Sequence, residues 1–174
     1  MYGGTDNGIY NNVITAFPNC GLTLNHFKNA VANYMEAHPD YVAWCEKVKK
    51  IAMDKRLSVN GFGRVRILMG DDRSIARQAL NSPVQGTAAD VARETMADCQ
   101  EYIDEKSLTD VRWKSVKILL QIHDELVFEV KKSALDDMKA LIKQEMESAL
   151  PKEYSKIVKL LVDIGVGKNW LEAH

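Results

Sequence analysis

The chain has no apolar run long enough to cross a bilayer, and nothing with the basic start, apolar middle and small-residue end of a secretory signal. A protein of the cell interior, cytoplasmic and without membrane contact, is therefore expected. Cysteine is scarce: Cys20, Cys45 and Cys99 are odd in number, far apart and form no CxxC pair. That excludes a disulfide framework, argues against a zinc site, and reads as buried thiols in a reducing compartment. Neither sign of charge is in excess, with 23 Lys and Arg against 24 Asp and Glu, so bulk charge names no partner. With 10 Gly and 4 Pro there is no linker or low-complexity tract, and no internal repeat. A chain of 174 residues, 46% apolar, can bury a real core and reads as a single α+β body.

What is present is more telling. In VKILLQIHDELVFEV, Val116 to Val130, Val116, Ile118, Leu120 and Ile122 recur at the period of a strand, as do Leu126, Phe128 and Val130. His123 and Asp124 lie between the two runs and fit a two-residue hairpin turn without its usual Gly or Asn. Asp124 and Glu125 then stand side by side at a strand end. Carboxylates so held suit Mg²⁺, which binds through one or two of them with phosphate oxygens completing the shell. Read from spacing alone, such a pair is a solvated turn roughly nine times in ten, since charged residues are mostly exposed.

Charge is uneven along the chain. From Ala43 to Arg77, nine basic residues (including Arg64, Arg66 and Arg77) face four acids. Such a segment could follow a phosphate backbone or form a solvated face.

The order of elements is mixed. A short helix is expected around Gly8 to Ala16, a second from Thr23 with Leu24, Phe27, Val31 and Met35 on one face, and a third opened by Pro39 and running to about Arg56, carrying Val42, Cys45, Val48 and Met53. Leu57–Val59 and Val65–Leu68 form a small hairpin around Asn60-Gly61-Phe62-Gly63, closed by the Gly70–Asp72 loop. Ser82-Pro83 reads as a helix start with Gln85 completing a capping box, and the helix presents Ala88, Val91, Ala92, Thr95, Cys99 and Ile103. A helix from Ser133 to Ala149 turns Leu135, Met138, Ile142, Met146 and Ala149 inward. Val158 to Ile164 is expected as a final strand.

Two stretches resemble a known family. RQALNSPVQGTAAD, from Arg77 to Asp90, followed by QIHDELVFEV, is similar to the C-terminal part of family A DNA polymerases, the DNA polymerase I type. The closing VDIGVGKNWLEAH and the upstream NYMEAHPDYVAWCEKVKK keep the family's order, so the resemblance covers essentially the whole chain. It implies the C-terminal part of a polymerase palm, an antiparallel sheet with a catalytic hairpin, plus helices from the fingers; residues 1–70 would be fingers-derived and 71–174 palm. Asp124 resembles the palm carboxylate that holds the catalytic metals, with Glu125 its less essential neighbour. His123 is similar to the residue near the primer terminus. Arg77, Asn81 and Gln85 match residues that touch the primer-template duplex, largely through its minor groove and backbone, where acceptors shared by the base pairs permit a check of shape without sequence. For Gln85 the capping box is the rival reading.

The resemblance also marks what is missing. Tyr2 and Gly3 match the tail of the fingers helix, Tyr2 as a DNA-contacting residue; the helix's Arg and Lys for the incoming triphosphate and the family's other acidic motif have no counterpart. The link from Arg66 to Arg77 is short for a bacterial enzyme, and Thr5 to Leu22 matches no motif. One carboxylate cluster cannot hold two ions about 3.5–4 Å apart. The expectation is thus one subunit of a split DNA polymerase, inactive alone, using Mg²⁺ (two ions, with Mn²⁺ as an alternative) once an N-terminal fragment brings the other Asp and the fingers, and acting on primer-template DNA and deoxynucleoside triphosphates. The opening Met and the family-like ending fit that expectation. A noncatalytic DNA-binding or scaffolding remnant is the alternative; a phosphohydrolase built on the hairpin alone lacks a second acidic cluster.

Overall fold

A computed structural model describes residues 6–173. It divides into two compact units, Met1–Gly86 and Thr87–His174, with the boundary inside one long helix.

In the first unit, α1 (Asp6–Ala16), α2 (Leu24–Ala37) and α3 (Pro39–Lys55) precede a hairpin of β1 (Leu57–Val59) and β2 (Val65–Ile67). Local chemistry explains the boundaries. Thr23 accepts the His26 backbone N–H at 3.2 Å as the N-cap of α2, and Pro39 opens α3 where its missing N–H costs nothing. Tyr10 ties α1 to the loop before α2, donating its hydroxyl to the Leu22 carbonyl at 3.1 Å. Arg56 ends α3 in the left-handed region (φ 53°), its N–H bonded to the Ala52 carbonyl at 2.9 Å. β1 and β2 pair antiparallel, Leu57 with Ile67 and Val59 with Val65. Ala52, Leu68, Ile75 and Ala79 form the core, with Val48 against it. The inward face of α3 is thus set by Cys45 and Ala52; Met53, expected inside, is exposed. Cys20 is exposed too, whereas Cys45 and Cys99 are buried.

The long helix α4 (Asp72–Thr109, 38 residues) begins ten positions before the expected start at Ser82, and Pro83 lies in its interior. Asp71 supplies the cap instead, its Oδ1 accepting the Ser74 N–H at 2.8 Å. Ser82 is buried mid-helix and cannot cap, so the capping-box reading of Gln85 falls with it.

In the second unit, the later part of α4 packs against a hairpin of β3 (Lys117–Ile122) and β4 (Glu125–Glu129) and against α5 (Leu135–Ser148). Ala92, Thr95, Cys99 and Ile103 are buried along α4, as the periodicity predicts, while Ala88 is exposed. Cys99, Ile103, Trp113, Val116, Ala134, Met138 and Leu141 form the core, joined by Ile118, Phe128, Val130 and Ile142. Tyr102 meets Trp113 edge to face at 5.3 Å between centroids. Arg112 staples the far end: its guanidinium bonds Asp110, the Ser133 carbonyl at 2.7 Å and Asp137 at 3.1 Å.

The hairpin's pattern differs from strict alternation. Ile118 pairs with Phe128 but Leu120 with Val127, so Leu119 is an extra residue, a bulge. The inserted residue breaks the face shared by Ile118 and Leu120, and Leu119 and Leu120 are both about half exposed (48% and 51%). No strand forms over 158–164; the segment has no regular structure, finds no partner strand among the described residues, and leads to short α7 (Trp170–Ala173) after α6 (Lys152–Ser155). Alternation specifies a strand only where a neighbour receives its hydrogen bonds. No helix among the described residues is long and apolar enough to cross a membrane.

Candidate functional site

Hydrogen-bonded pairing of Ile122 with Glu125 leaves His123 and Asp124 as the whole turn between β3 and β4. His123 has φ 55° and Asp124 does not share the positive sign, the pattern of a turn whose first central residue is usually glycine. The Gln121 amide supports it, donating from Nε2 to the His123 carbonyl at 3.3 Å. Apolar packing of Ile118, Phe128 and Val130 anchors the base of the hairpin, so a rigid stem carries the tip. His123 and Asp124 are exposed and Glu125 is half-buried.

Glu125 has a partner the sequence did not announce. Trp170, 45 positions on, donates its indole N–H to Glu125 Oε1 at 2.7 Å. No local signal could have found it, since it depends on how the chain end returns to the hairpin.

The donor set at the tip, two adjacent carboxylates, has the hard-oxygen character that Mg²⁺ or Mn²⁺ takes. It fits such an ion as part of a shell, not as a complete one: among the described residues no group of three His, Cys, Asp or Glu is gathered to hold a metal. Asp124 and Glu125 are the residues that would hold it.

The second set of expected site residues lies in the first unit. Arg77, Asn81 and Gln85 are spaced by four along α4 and share one stripe, with Arg77 and Gln85 exposed. The Oδ1 of Asn81 is sealed from solvent without a hydrogen-bond partner among the described residues, a desolvation cost of about 1–3 kcal/mol. Tyr2 lies outside the described residues.

Beside this stripe is a cleft that spacing alone did not reveal. The β1–β2 hairpin rests on α4 so closely that a Cβ on Gly86 would come 3.3 Å from the Asn60 side chain. Asn60 in turn shapes the turn, its Oδ1 accepting the N–H groups of Phe62 at 3.0 Å and Arg64 at 2.9 Å. The resulting cavity, of about 290 Å³, is lined by Ser58, Asn60, Arg64, Arg66 and Ser82 together with Val65 and Gly86. Arg66 bridges its walls, donating from Nη1 to Ser82 Oγ at 3.2 Å. Two guanidinium groups with hydroxyl and amide neighbours make a cationic recess of the kind that receives phosphate.

Comparison with known proteins gives one consistent result. The sequence pattern of DNA polymerase family A matches residues 1–172. DNA polymerase I of Lactococcus lactis subsp. cremoris is 35% identical over 99% of this chain, and the thermostable DNA polymerase I of Thermus filiformis is 34% identical over 88%. The chain spans 19% and 18% of their lengths, respectively. Among solved structures, the POL domain of Pol1 from M. smegmatis, in complex with DNA primer-template and dNTP, aligns with TM-score 0.79 at 26% identity, covering 99% of this chain and 29% of that one.

Proposed function

The chain belongs to DNA polymerase family A, and from that premise we propose that it is the C-terminal portion of a template-directed DNA polymerase, active in nucleotidyl transfer only when polypeptide outside these 174 residues joins it as a partner. The observation that carries this reading is the placement of Asp124 and Glu125 side by side at the hairpin tip, in a chain whose family match runs from residue 1 to 172. Residues 1–70 would contribute to the fingers and 71–174 to the palm.

A divalent cation, when bound, would supply charge neutralisation at the reacting phosphate and acidify the primer hydroxyl. The chain's own residues do the rest. Asp124, exposed at the tip, offers its carboxylate to the shared ion site, and Glu125 stands beside it. His123 lies next to the primer terminus. Arg77 and Gln85 project from one stripe of α4 toward the duplex, while Arg64 and Arg66 hold a phosphate of its backbone. The primer 3′ hydroxyl would give its proton to solvent, and its oxygen would bond to the α-phosphorus of the triphosphate as the bond to the pyrophosphate oxygen breaks and pyrophosphate leaves.

Two features support a partner. No complete metal-binding group exists among the described residues, and apolar side chains stand exposed on both hairpins: Leu119 and Leu120 on one, Val65 and Ile67 on the other, with Met69 just after it. The absence of a complete acidic group equally motivates a second reading, a noncatalytic DNA-binding remnant.

Copurification from the native source, followed by primer extension with and without the copurifying chain, separates the two. Extension only by the assembly, abolished by Asp124→Ala with association intact, is the expected result. Salt-sensitive duplex binding without extension beside any partner would establish the remnant, and extension by the 174 residues alone would remove the need for a partner.

A further inference from the structure

The end of the chain is built to deliver one indole to the hairpin tip. Around α7, the Glu172 N–H donates to Asn169 Oδ1 at 3.0 Å, while the Glu172 carboxylate accepts from the Lys168 N–H at 3.0 Å and from Asn169 Nδ2 at 2.9 Å. This reciprocal set, a variant of the capping box, fixes the turn that carries Trp170. The turn lies tight on the chain before it. A Cβ at Gly165 would run into the Ala173 carbonyl oxygen, and one at Gly167 would sit 2.5 Å from the Glu172 Cβ and 2.7 Å from the Ala173 nitrogen. Only glycine at both positions lets the backbone fold back so closely.

The product of this arrangement is the 2.7 Å bond from Trp170 Nε1 to Glu125 Oε1. Trp170 remains 48% exposed, so burial of the ring is not what places it. Indole is a donor only, so its bond fixes one carboxylate oxygen as the acceptor and restricts the rotation of the group. Groups that hydrogen-bond metal-ligating carboxylates orient them and tune ion affinity.

We propose that Trp170 is a positioning residue that holds the Glu125 carboxylate in register with Asp124 for a divalent cation, a role that rests on the polymerase reading above. The chain end is then part of the apparatus that sets the metal requirement, and Gly165, Gly167, Asn169 and Glu172 act through it.

The contact is tested on the full chain labelled with ¹⁵N-tryptophan, which gives indole signals from Trp44, Trp113 and Trp170; Trp170→Phe assigns the last. Glu125→Ala is expected to shift the Trp170 indole signal and leave the other two in place. An unmoved Trp170 signal overturns the inference. In the assembled enzyme, Trp170→Phe is expected to raise the Mg²⁺ concentration for half-maximal extension roughly three- to tenfold, with primer-template affinity unchanged, and Trp170→His, which keeps a ring N–H, to recover part of the loss. A slower rate at an unchanged Mg²⁺ midpoint would reduce Trp170 to a structural prop and also overturn the inference. Failure of the wild-type assembly to extend any primer would instead remove the polymerase reading, while the indole shift, read on the chain alone, still decides the contact.

Discussion

Asp71 and Ser74 are joined at the head of α4, the Ser74 N–H donating to Asp71 Oδ1 at 2.8 Å. The backbone bond from Ser74, then its side chain, with Arg77 adding attraction, hold the Asp71 carboxyl below its ordinary value. A depressed carboxylate contributes stability above its unfolded-state value and loses it as pH falls through the folded one. Asp71→Ala should therefore lower the thermal midpoint at neutral pH, and the gap from the wild type should close in acid. Ser82→Ala should show no such pH-dependent gap, because Ser82 starts no helix. Thermal melts across pH 2–7 of both variants check this.

Where the sequence was legible, the deciding chemistry was local. Thr23 and Pro39 mark the starts of α2 and α3 because a cap acts within three residues, and the positions of Ala92, Thr95, Cys99 and Ile103 needed only helical period. Ser82-Pro83 misled for the opposite reason: a chain already helical from Asp72 tolerates the signal inside it. Leu119 could not be recognised as a bulge, since two against one in a ladder depends on the partner strand. The cleft of Arg64, Arg66 and Ser82, and the bond from Trp170 to Glu125, join residues far apart in sequence and leave no trace in spacing. The hairpin with Asp124 at its tip was readable because both strands and the turn lie within fifteen residues.

His123 carries left-handed backbone (φ 55°) without being glycine, Asn or Asp. Such a residue stores roughly 1 kcal/mol or more of strain. His123→Gly should therefore stabilise the chain by about 1 kcal/mol in urea unfolding, while lowering extension by the assembly if the imidazole serves the primer end as proposed. A destabilised glycine variant would show that His123 makes compensating contacts and carries no strain.

Cys99 is fully buried, and burial first, then Glu145 and Asp98, push its thiol up to about 11. The folded state keeps the proton that the unfolded chain releases above about pH 9, so stability should fall as pH rises from 9 towards 11 and then level off. At pH 8 the exposed Cys20 should react rapidly with a disulfide reagent, and Cys99 only after unfolding. Fast modification of Cys99 in the native chain would mean that the core around Met138 and Trp113 opens readily. Cys99→Ser should remove the alkaline slope; its persistence would assign the slope to another group.

The Arg66–Ser82 bond spans the cleft between β2 and α4, and its consequence for binding is measurable through salt. Each phosphate neutralised on duplex DNA releases condensed counterions, so losing one contact lowers the slope of log affinity against log salt by about 0.9. Arg66→Ala should produce that decrease together with weaker binding at every sequence tested. Arg66→Lys keeps the charge and should keep most of the slope, but loses the forked donor geometry and hence some affinity. Lys143→Ala, an exposed lysine on α5, serves as the control and should leave the slope unchanged. Equal slopes for Arg66→Ala and the wild type would mean that the cleft takes no backbone phosphate, and that the positive segment from Ala43 to Arg77 is a solvated face.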